Sequence, residues 1–145
     1  MKLSRKCDYA LRALVKIAMK GDDQYTSIAE ITEGSDIPAR YLEQVFLHLK
    51  NAGVLSSKAG PGGGYRLRRE PRRINLLEIV RLVDGPVAPV RCVSRTAYEP
   101  CPHEDDCALR PIMSDVRDAI AGILSGLTLE DACKRAGLVG SVVKK

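Results

Sequence analysis

A five-residue run that contains four glycines limits the folds open to this chain more than any other stretch. Residues 60–64 read GPGGG and separate two short segments of strand character, 54–58 and 65–68. Glycine weakens helices and strands but permits left-handed backbone conformations, so the run predicts the turn of a β-hairpin. No GKS or GKT follows, and the run opens no helix, which argues against a P-loop. Two roles stay open for the turn: an ordinary hairpin tip, or a loop that approaches a phosphate row or a minor groove.

The hairpin follows a segment with the pattern of an amphipathic helix. Pro38 suits the first turn of this helix, and Gly53 ends it after about Asn51. One face is apolar at helical spacing and consists of Leu42, Val45, Phe46 and Leu49. The opposite face is mostly polar and consists of Arg40, Gln44, Leu47, His48 and Asn51, with Glu43 at its flank. Such a helix packs on one side and presents long side chains to a major groove on the other. The hairpin beside it would be a wing.

Two helices are predicted ahead of this reading helix. The first spans about 3–20, with Ser4 as N-cap and an inward stripe of Leu11, Leu14, Val15 and Ala18. The second is short, and Ser27 and Glu30 have the spacing of a capping box. Its inward residues are predicted to be Ile28, Ala29 and Ile31. A tight turn at 34–37 joins it to the reading helix, which is the arrangement of a helix-turn-helix.

The part of the chain after the hairpin predicts further helices, one of them long. A basic link at 68–73 leads to a fourth helix over 74–83. From about 111 to 127 an apolar stripe returns, formed by Ile112, Val116, Ala119, Ile120, Ile123 and Leu127. A long helix with one apolar side often pairs with its twin, and packing against its own domain is the alternative. A short helix over 128–137 and a frayed tail over 138–145 follow. The fold class is therefore mainly α with a small β-hairpin wing, a winged helix-turn-helix plus a long dimerisation helix.

Basic charge is concentrated in the half that holds the predicted reading helix and wing. The net charge is +5; residues 1–75 carry 14 Lys/Arg and 8 Asp/Glu, and residues 76–145 carry 9 and 10. Basic surfaces bind phosphate backbones through counterion release, although a modest surplus also aids solubility. Neither a signal peptide nor a run of about 18 apolar residues is visible. We therefore expect a cytoplasmic protein without membrane contact.

Three of the five cysteines fall in an irregular, proline-rich loop over 86–111. Cys92, Cys101 and Cys107 have the spacing C-x8-C-x5-C. Thiolates are ligands for zinc, copper(I) and iron–sulfur clusters, and the short CxxC-type pair of zinc knuckles is absent. The residues alone leave a cluster, redox-active free thiols and zinc open. The candidates for a fourth ligand are His103, Glu99, Glu104, Asp105 and Asp106 in the loop and Asp8 elsewhere. Cys7 and Cys133 lie among apolar helix residues and are expected to be buried and inert.

Four segments of the chain resemble the Rrf family of bacterial winged-helix transcription factors. They read KLSRKCDYALRAL, ARYLEQVFLHLKNAGVL, GPGGGYRL and LLEIVRLVDGPVAPVRC. The resemblance implies a homodimer on a pseudo-palindromic operator in double-stranded DNA, with each reading helix in a major groove and each wing in a minor groove. Many members carry an arginine at the position of Ala59, and Lys58 is predicted to replace it. With the polar helix face, the predicted DNA contacts are Arg40, Tyr41, Glu43, Gln44, His48, Lys58, Gly60, Gly62, Gly63, Tyr65 and Arg66.

The resemblance also implies an iron–sulfur cluster held by Cys92, Cys101 and Cys107. In one branch of the family the fourth ligand is a histidine three residues after the third cysteine, and Arg110 stands there in this chain. In another branch it is an N-terminal aspartate of the partner subunit, which Asp8 matches. The resemblance therefore favours Asp8 and a [4Fe–4S] cluster over a [2Fe–2S] cluster, with His103 in reserve.

The chain is predicted to have three parts. Residues 1–83 are the winged helix-turn-helix domain, 84–110 the cluster-binding loop, and 111–145 the dimerisation helix and C-terminal tail. The predicted function is a homodimeric DNA-binding transcriptional regulator whose operator affinity depends on a cluster that senses redox, nitric oxide or iron status. The alternative is a cluster-free regulator, responsive to thiol oxidation or a metabolite, that acts through protein partners. No nucleophile motif is visible and only two histidines are present, so an enzyme is not predicted.

Overall fold

The computed structural model describes the backbone of residues 2–21 and 23–143 and the side chains up to residue 137. These residues form helices and one antiparallel hairpin, which confirms the predicted mainly α class. The elements are α1 Arg5–Lys20, α2 Ile28–Thr32, α3 Ala39–Asn51, β1 Leu55–Lys58, β2 Gly64–Leu67, α4 Leu76–Asp84, α5 Leu109–Ser125 and α6 Leu129–Val143. Short 3-10 turns lie at Pro71–Arg73, Arg91–Val93 and Glu104–Asp106. Within the described ranges, no helix is both long and apolar enough to cross a membrane.

Helix α1 lies at the centre of the helical core. Ser4 is its N-cap, as predicted, and its hydroxyl accepts a hydrogen bond from the Cys7 N–H at 3.0 Å. Because α2, α3, α4, α6 and β2 all contact α1, more than one side of the helix is covered. The fully buried residues are Cys7, Ala10, Ala13, Leu14 and Ile17. The predicted inward stripe is therefore displaced by roughly a quarter turn, since it assumed a single covered side.

Helices α2 and α3 form the predicted helix-turn-helix. The Ser27 hydroxyl caps α2 by accepting a hydrogen bond from the Glu30 N–H at 3.2 Å. Ile31 is buried, but Ala29 is exposed, contrary to the prediction. Helix α2 has five residues, little more than one turn, so it covers the core with a narrow face. Helix α3 buries the four residues that were predicted, Leu42, Val45, Phe46 and Leu49.

The hairpin of β1 and β2 is fastened to the segment that precedes α2. Thr26 pairs with Tyr65 in both directions: each backbone N–H donates to the other residue's carbonyl at 2.8 Å. This close approach requires a glycine at position 64, where a Cβ would lie 2.2 Å from the Thr26 carbonyl oxygen and φ is +139°. The wing is thus held to the helix-turn-helix by backbone pairing as well as by side chains.

Helix α4 leads away from the wing, and α6 returns to the core. Asn75 caps α4 by accepting a hydrogen bond from the Glu78 N–H at 2.9 Å, so the helix starts two residues later than predicted. Helix α6 packs on α1, and its Leu129 is fully buried in the same core. The backbone stays helical through Val143, which contradicts the predicted tail over 138–143; residues 144–145 lie outside the described residues. The division of the chain into three parts stays a prediction.

Gly64→Ala should destabilise the protein strongly. The added methyl group would collide with the Thr26 backbone, and the left-handed φ alone costs a non-glycine residue about 1–2 kcal/mol. We expect the free energy of unfolding in urea to fall by about 3 kcal/mol or more. Gly62→Ala is the matched control, because Gly62 has φ +73° with nothing within 4 Å of its Cβ position. Equal losses in the two variants would show that the approach to Thr26 does not constrain the wing.

Candidate functional site

The outward face of α3 carries the side chains predicted to read DNA. Arg40, Glu43, Gln44 and His48 are all exposed, while the opposite face is buried in the core. The structure therefore brings four of the predicted contact residues onto one open surface. These four side chains offer hydrogen-bond donors and acceptors suited to base edges and phosphates.

Tyr41, also predicted to contact DNA, is held from two sides. Its ring lies 6.3 Å from the ring of Tyr9 on α1, and the Arg40 guanidinium lies 5.9 Å from the Tyr41 ring centroid. Tyr41 is half-buried as a result. The contact orients Arg40, and Tyr9 is a supporting residue that sequence reasoning did not single out.

Tyr25 holds the two basic side chains of the wing strands. The Arg66 guanidinium lies 4.7 Å and the Lys58 ammonium 5.8 Å from the centroid of its ring. Cation–π contacts of this kind hold a cation in place without neutralising its charge. Both cations are predicted DNA contacts, so Tyr25 acts as a positioning residue that the sequence analysis missed. The sequence feature that could have pointed to Tyr25 is its position as an aromatic residue within a polar loop.

The glycines of the wing turn divide into two groups. Gly60 and Gly62 have φ values of +85° and +73° and open space around them, whereas a Cβ on Gly63 would lie 2.2 Å from the Lys58 carbonyl oxygen. Gly63 and Gly64 are therefore required by contacts inside the protein. At these two positions the backbone closely approaches other protein backbone, whereas the sequence left open an approach to a phosphate row or a minor groove. Tyr65 is also engaged internally, since its ring packs edge-on against Phe46 with centroids 5.0 Å apart.

Cys92, Cys101 and Cys107 line one cavity of about 440 Å³. Its walls are mostly apolar and include Val90, Pro100, Pro102, Leu109 and Met113. The fold thus brings together the three thiols that the sequence separates by eight and five residues. In the described part of the chain, however, no three His, Cys, Asp or Glu side chains are grouped as a metal site would require. Three thiols are a donor set that suits a cluster, and Glu99, a candidate fourth ligand, also lines the cavity.

Two candidate fourth ligands in the loop are engaged by protein groups. The Glu104 carboxylate accepts hydrogen bonds from the Tyr98 hydroxyl at 2.7 and 2.8 Å and from the Cys101 N–H at 3.0 Å. These bonds, that of Tyr98 first, lower the pKa of Glu104. Glu99 is paired with Arg91 at 2.7 Å. Glu104 therefore shapes the loop around Cys101. The remaining loop candidates, His103, Asp105 and Asp106, are exposed.

Asp8 lies on α1 and is not part of the cavity lining. Its carboxylate accepts a hydrogen bond from the Arg12 side chain at 3.2 Å, one turn along the helix. Both side chains are about half exposed, so the pair is open to solvent. The structure does not bring Asp8 to the three cysteines of its own chain.

The loop that carries Cys92 is anchored to α5. The Arg117 guanidinium donates a hydrogen bond to the Val93 carbonyl at 2.6 Å, and only 15% of its side chain is exposed. Arg95 forms a second, more exposed pair with Asp118 at 3.2 Å. A movement of the loop would therefore pull on α5 through a largely buried contact.

The other two cysteines are separate from this cavity. Cys7 is fully buried, and burial, with Asp84 and Asp8 nearby, raises the pKa of its thiol to about 12. Burial also raises the pKa of Cys133, which is half-buried and lies beside the Val15 carbonyl. A thiol with a raised pKa holds little thiolate at neutral pH, so neither is suited to metal binding or rapid oxidation.

Helix α5 has two apolar faces rather than one. Ile120, Ala121 and Leu124 pack on the small cluster formed by Cys7, Leu77, Val80 and Val87. The other face is exposed and carries Leu109, Ile112, Val116, Ala119 and Ile123. The predicted single stripe is therefore wrong at Ile120, which faces its own domain. The exposed residues recur at alternating steps of three and four.

Comparison with known proteins places this architecture in a family. The sequence profile of the Rrf2 family, described as an iron-dependent transcriptional regulator, matches residues 3–135. The chain belongs to the Rrf2 family. It is a transcriptional regulator, and the prediction that it is not an enzyme is confirmed because its relatives are regulators.

Individual Rrf2 relatives match over most of their length. An rrf2-like HTH-type transcriptional regulator of Rhodobacter capsulatus is 39% identical over 135 residues, covering 89% of this chain and 90% of that protein. The HTH-type transcriptional regulator IscR of Photorhabdus laumondii is 36% identical, covering 90% and 78%. Among solved structures, CymR, the global cysteine regulator of Bacillus subtilis, is similar with a TM-score of 0.79 and 32% identity, covering 93% and 98%. These matches confirm the winged-helix regulator fold.

Arg117→Ala should loosen the cysteine loop. Removing a charged donor from a largely buried carbonyl costs about 1.5–3 kcal/mol, so we expect about tenfold faster cleavage after Glu104 by a glutamate-specific protease. Arg95→Ala is the matched control, because exposed ion pairs contribute little and 67% of the Arg95 side chain is exposed. If the two variants were cleaved at the same rate, Arg117 would not be the anchor of the loop.

Proposed function

We propose that this Rrf2 regulator is a homodimer that reads a pseudo-palindromic operator with α3 and grips the flanking backbone with its wing. The observation that carries the proposal is an exposed polar face on α3 together with a basic wing that is packed against the same helix. Lys58 and Arg66 are held on Tyr25, and Tyr65 packs the wing against Phe46 of α3. A groove-reading helix and a phosphate-binding hairpin in fixed relation are what a winged helix-turn-helix needs.

The exposed face of α5 supports dimerisation through a second copy of this chain. Leu109, Ile112, Val116 and Ile123 are between 37% and 66% exposed. Together with the exposed Ala119, they recur at alternating steps of three and four residues, which is the heptad pattern of a helix that packs on another helix. The inner face of α5 is already occupied by its own domain, so the outer face is available for a partner. Two-fold pairing of α5 would relate two reading helices by the same symmetry that a pseudo-palindrome has.

We further propose that an iron–sulfur cluster, [4Fe–4S] rather than [2Fe–2S], is held by Cys92, Cys101 and Cys107 and by Asp8 of the partner subunit. Support comes from the three thiols around one cavity and from the iron dependence in the description of the family. Asp8 is solvent-accessible and lies outside the cavity formed by the cysteines of its own chain. Its carboxylate is therefore free to ligate a cluster in the other subunit of a dimer. Such a cluster supplies a centre that reacts with oxidants or nitric oxide and is lost when iron is scarce.

The loop is connected to the reading unit through two short paths. It leaves α4 directly after Asp84, whose carboxylate accepts hydrogen bonds from the backbone N–H and the hydroxyl of Ser4 at the start of α1. It is also tied to α5 by Arg117. Gain or loss of a cluster would therefore shift the population between two arrangements of α1 and α5, and with them the spacing of the reading helices.

A cluster-free regulator is the second candidate. It is favoured by the lack of a preassembled group of three ligands in the described part of the chain. The structural similarity to a regulator described by its role in cysteine regulation points the same way. In this case Cys101, the exposed thiol of the three, would be the site of oxidation. Iron content separates the two candidates.

Anaerobic purification should give a coloured protein with iron and acid-labile sulfide near four of each per chain, as a [4Fe–4S] cluster requires. Cys92→Ala, Cys101→Ala, Cys107→Ala and Asp8→Ala should each lose most of the absorption. Cys133→Ala is the matched control, because Cys133 lies outside the cavity, and it should keep full iron content. A protein that stays colourless after reconstitution would contradict the cluster proposal and favour the cluster-free regulator.

Two substitutions should separate the phosphate contacts of the wing from the base contacts of α3. Lys58→Ala should weaken binding to all DNA sequences and reduce the slope of log K against log salt by about one per subunit. Gln44→Ala should relax sequence preference by about tenfold, since it removes a base-edge contact. Fluorescence anisotropy with operator and scrambled duplexes measures both.

Lys134→Ala is the control for the loss of one positive charge, because Lys134 lies on α6 and pairs with Glu130. It should leave the salt slope unchanged. If Gln44→Ala and Lys58→Ala both lost the same affinity on every duplex, Gln44 would not be a base contact distinct from the phosphate contact of Lys58.

A further inference from the structure

Leu47 is an apolar side chain in the middle of the polar reading face. With about 100° between successive residues of an α-helix, the buried residues Leu42, Val45, Phe46 and Leu49 define the inward direction of α3. Leu47 points about 150° away from that direction, close to the line through Arg40 and Asn51. Its side chain is 55% exposed.

Nothing in the described part of the chain explains this exposure by packing. Leu47 belongs to neither apolar cluster, in contrast to the four inward residues of the same helix. Isolated exposed leucines are common, so exposure alone carries little weight. The informative observation is the position, in the centre of a surface that would be desolvated when α3 enters a groove.

We propose that Leu47 reads the 5-methyl group of a thymine in the major groove, an inference that rests on α3 being the reading helix. The thymine methyl is the apolar group that base pairs present in the major groove, and apolar side chains recognise it there. An exposed leucine has no other favourable contact with the edges of base pairs, which otherwise carry donors and acceptors.

The neighbours of Leu47 strengthen the assignment to an A·T pair. Gln44 and Asn51 lie three residues before and four residues after it, on the same face, where side chains are about 5–6 Å apart. Carboxamides pair with adenine through its N6 and N7 groups. Successive base pairs are about 3.4 Å apart, so the thymine read by Leu47 would lie within about two base pairs of an adenine read by Gln44 or Asn51.

Deoxyuridine substitution tests the inference because it removes the methyl group and leaves all hydrogen-bonding groups in place. The operator is first selected from random duplexes with the wild-type protein. Each thymine of the selected duplex is then replaced singly by deoxyuridine, and affinity is measured by anisotropy at fixed salt. At one thymine per half-site we expect the affinity of the wild-type protein to fall about fourfold, the value for one buried methyl-sized group.

Leu47→Ala should bind the thymine and the deoxyuridine duplex equally at that position, while Leu47→Met should keep most of the difference. Met19→Ala is the control for an exposed apolar side chain, since Met19 on α1 is 57% exposed and lies outside the reading face. It should respond to deoxyuridine as the wild-type protein does. Thermal unfolding verifies that each variant is folded.

Two results would overturn the inference. The wild-type protein could ignore every deoxyuridine, or Leu47→Ala could respond to them as strongly as the wild-type protein does. Failure of the proposed function has a different signature, because the selection would then yield no preferred duplex at all. That outcome removes the basis for Leu47 as well.

Discussion

The two backbone hydrogen bonds between Thr26 and Tyr65 are the constraint on which the reading surface depends. They join the wing to the segment that begins α2, and they place Tyr25 beneath the two strand cations. The Tyr65 ring then packs against Phe46, so the same residue fastens the wing to α3. A winged helix-turn-helix with a wing that moved freely would lose part of its binding free energy to the ordering of that wing. Here the ordering is built into the folded state.

Helix α1 connects the parts of the molecule that differ in function. It contacts the helix-turn-helix, the wing strand β2, α4 and α6. Its first turn holds Asp84 through Ser4, and the cysteine loop begins one residue later. Cys7 on the same turn fills the small cluster under α5. Under the proposed mechanism, a change at the cysteines would reach the reading helix by displacement of one helix, without a long chain of side-chain rearrangements.

Local features of the structure could be predicted from the sequence, and features set by distant contacts could not. The caps at Ser4 and Ser27 and the inward face of α3 follow from residues within one or two turns of each other. The inward face of α1 was misplaced because several elements cover it from different sides. Ile120 was assigned to the outward stripe because periodicity cannot tell which of two apolar faces meets its own domain. Tyr25 was missed because its role depends on a hairpin 30 to 40 residues further along the chain.

In the candidate site, too, local features could be predicted from the sequence and features set by distant contacts could not. The grouping of three cysteines followed from their position in one irregular loop, and the structure gathers them around one cavity. The roles of Glu104 and Arg117 depend on hydrogen bonds whose partners the spacing does not reveal. The proposed fourth ligand, Asp8, would come from a second subunit, a contact that the pattern of one chain does not display.

The unequal status of the wing glycines has a consequence for how this regulator can diversify. Gly63 and Gly64 are fixed by neighbouring backbone, whereas Gly60 and Gly62 have open space at their Cβ positions but positive φ values of +85° and +73°. A side chain at either outer glycine would meet no neighbour, but its backbone conformation would be strained. Pro61 lies between them, is exposed and carries neither restriction. Variation at the tip of the wing therefore falls most easily on this one position, while the hairpin keeps its register and its attachment to Thr26.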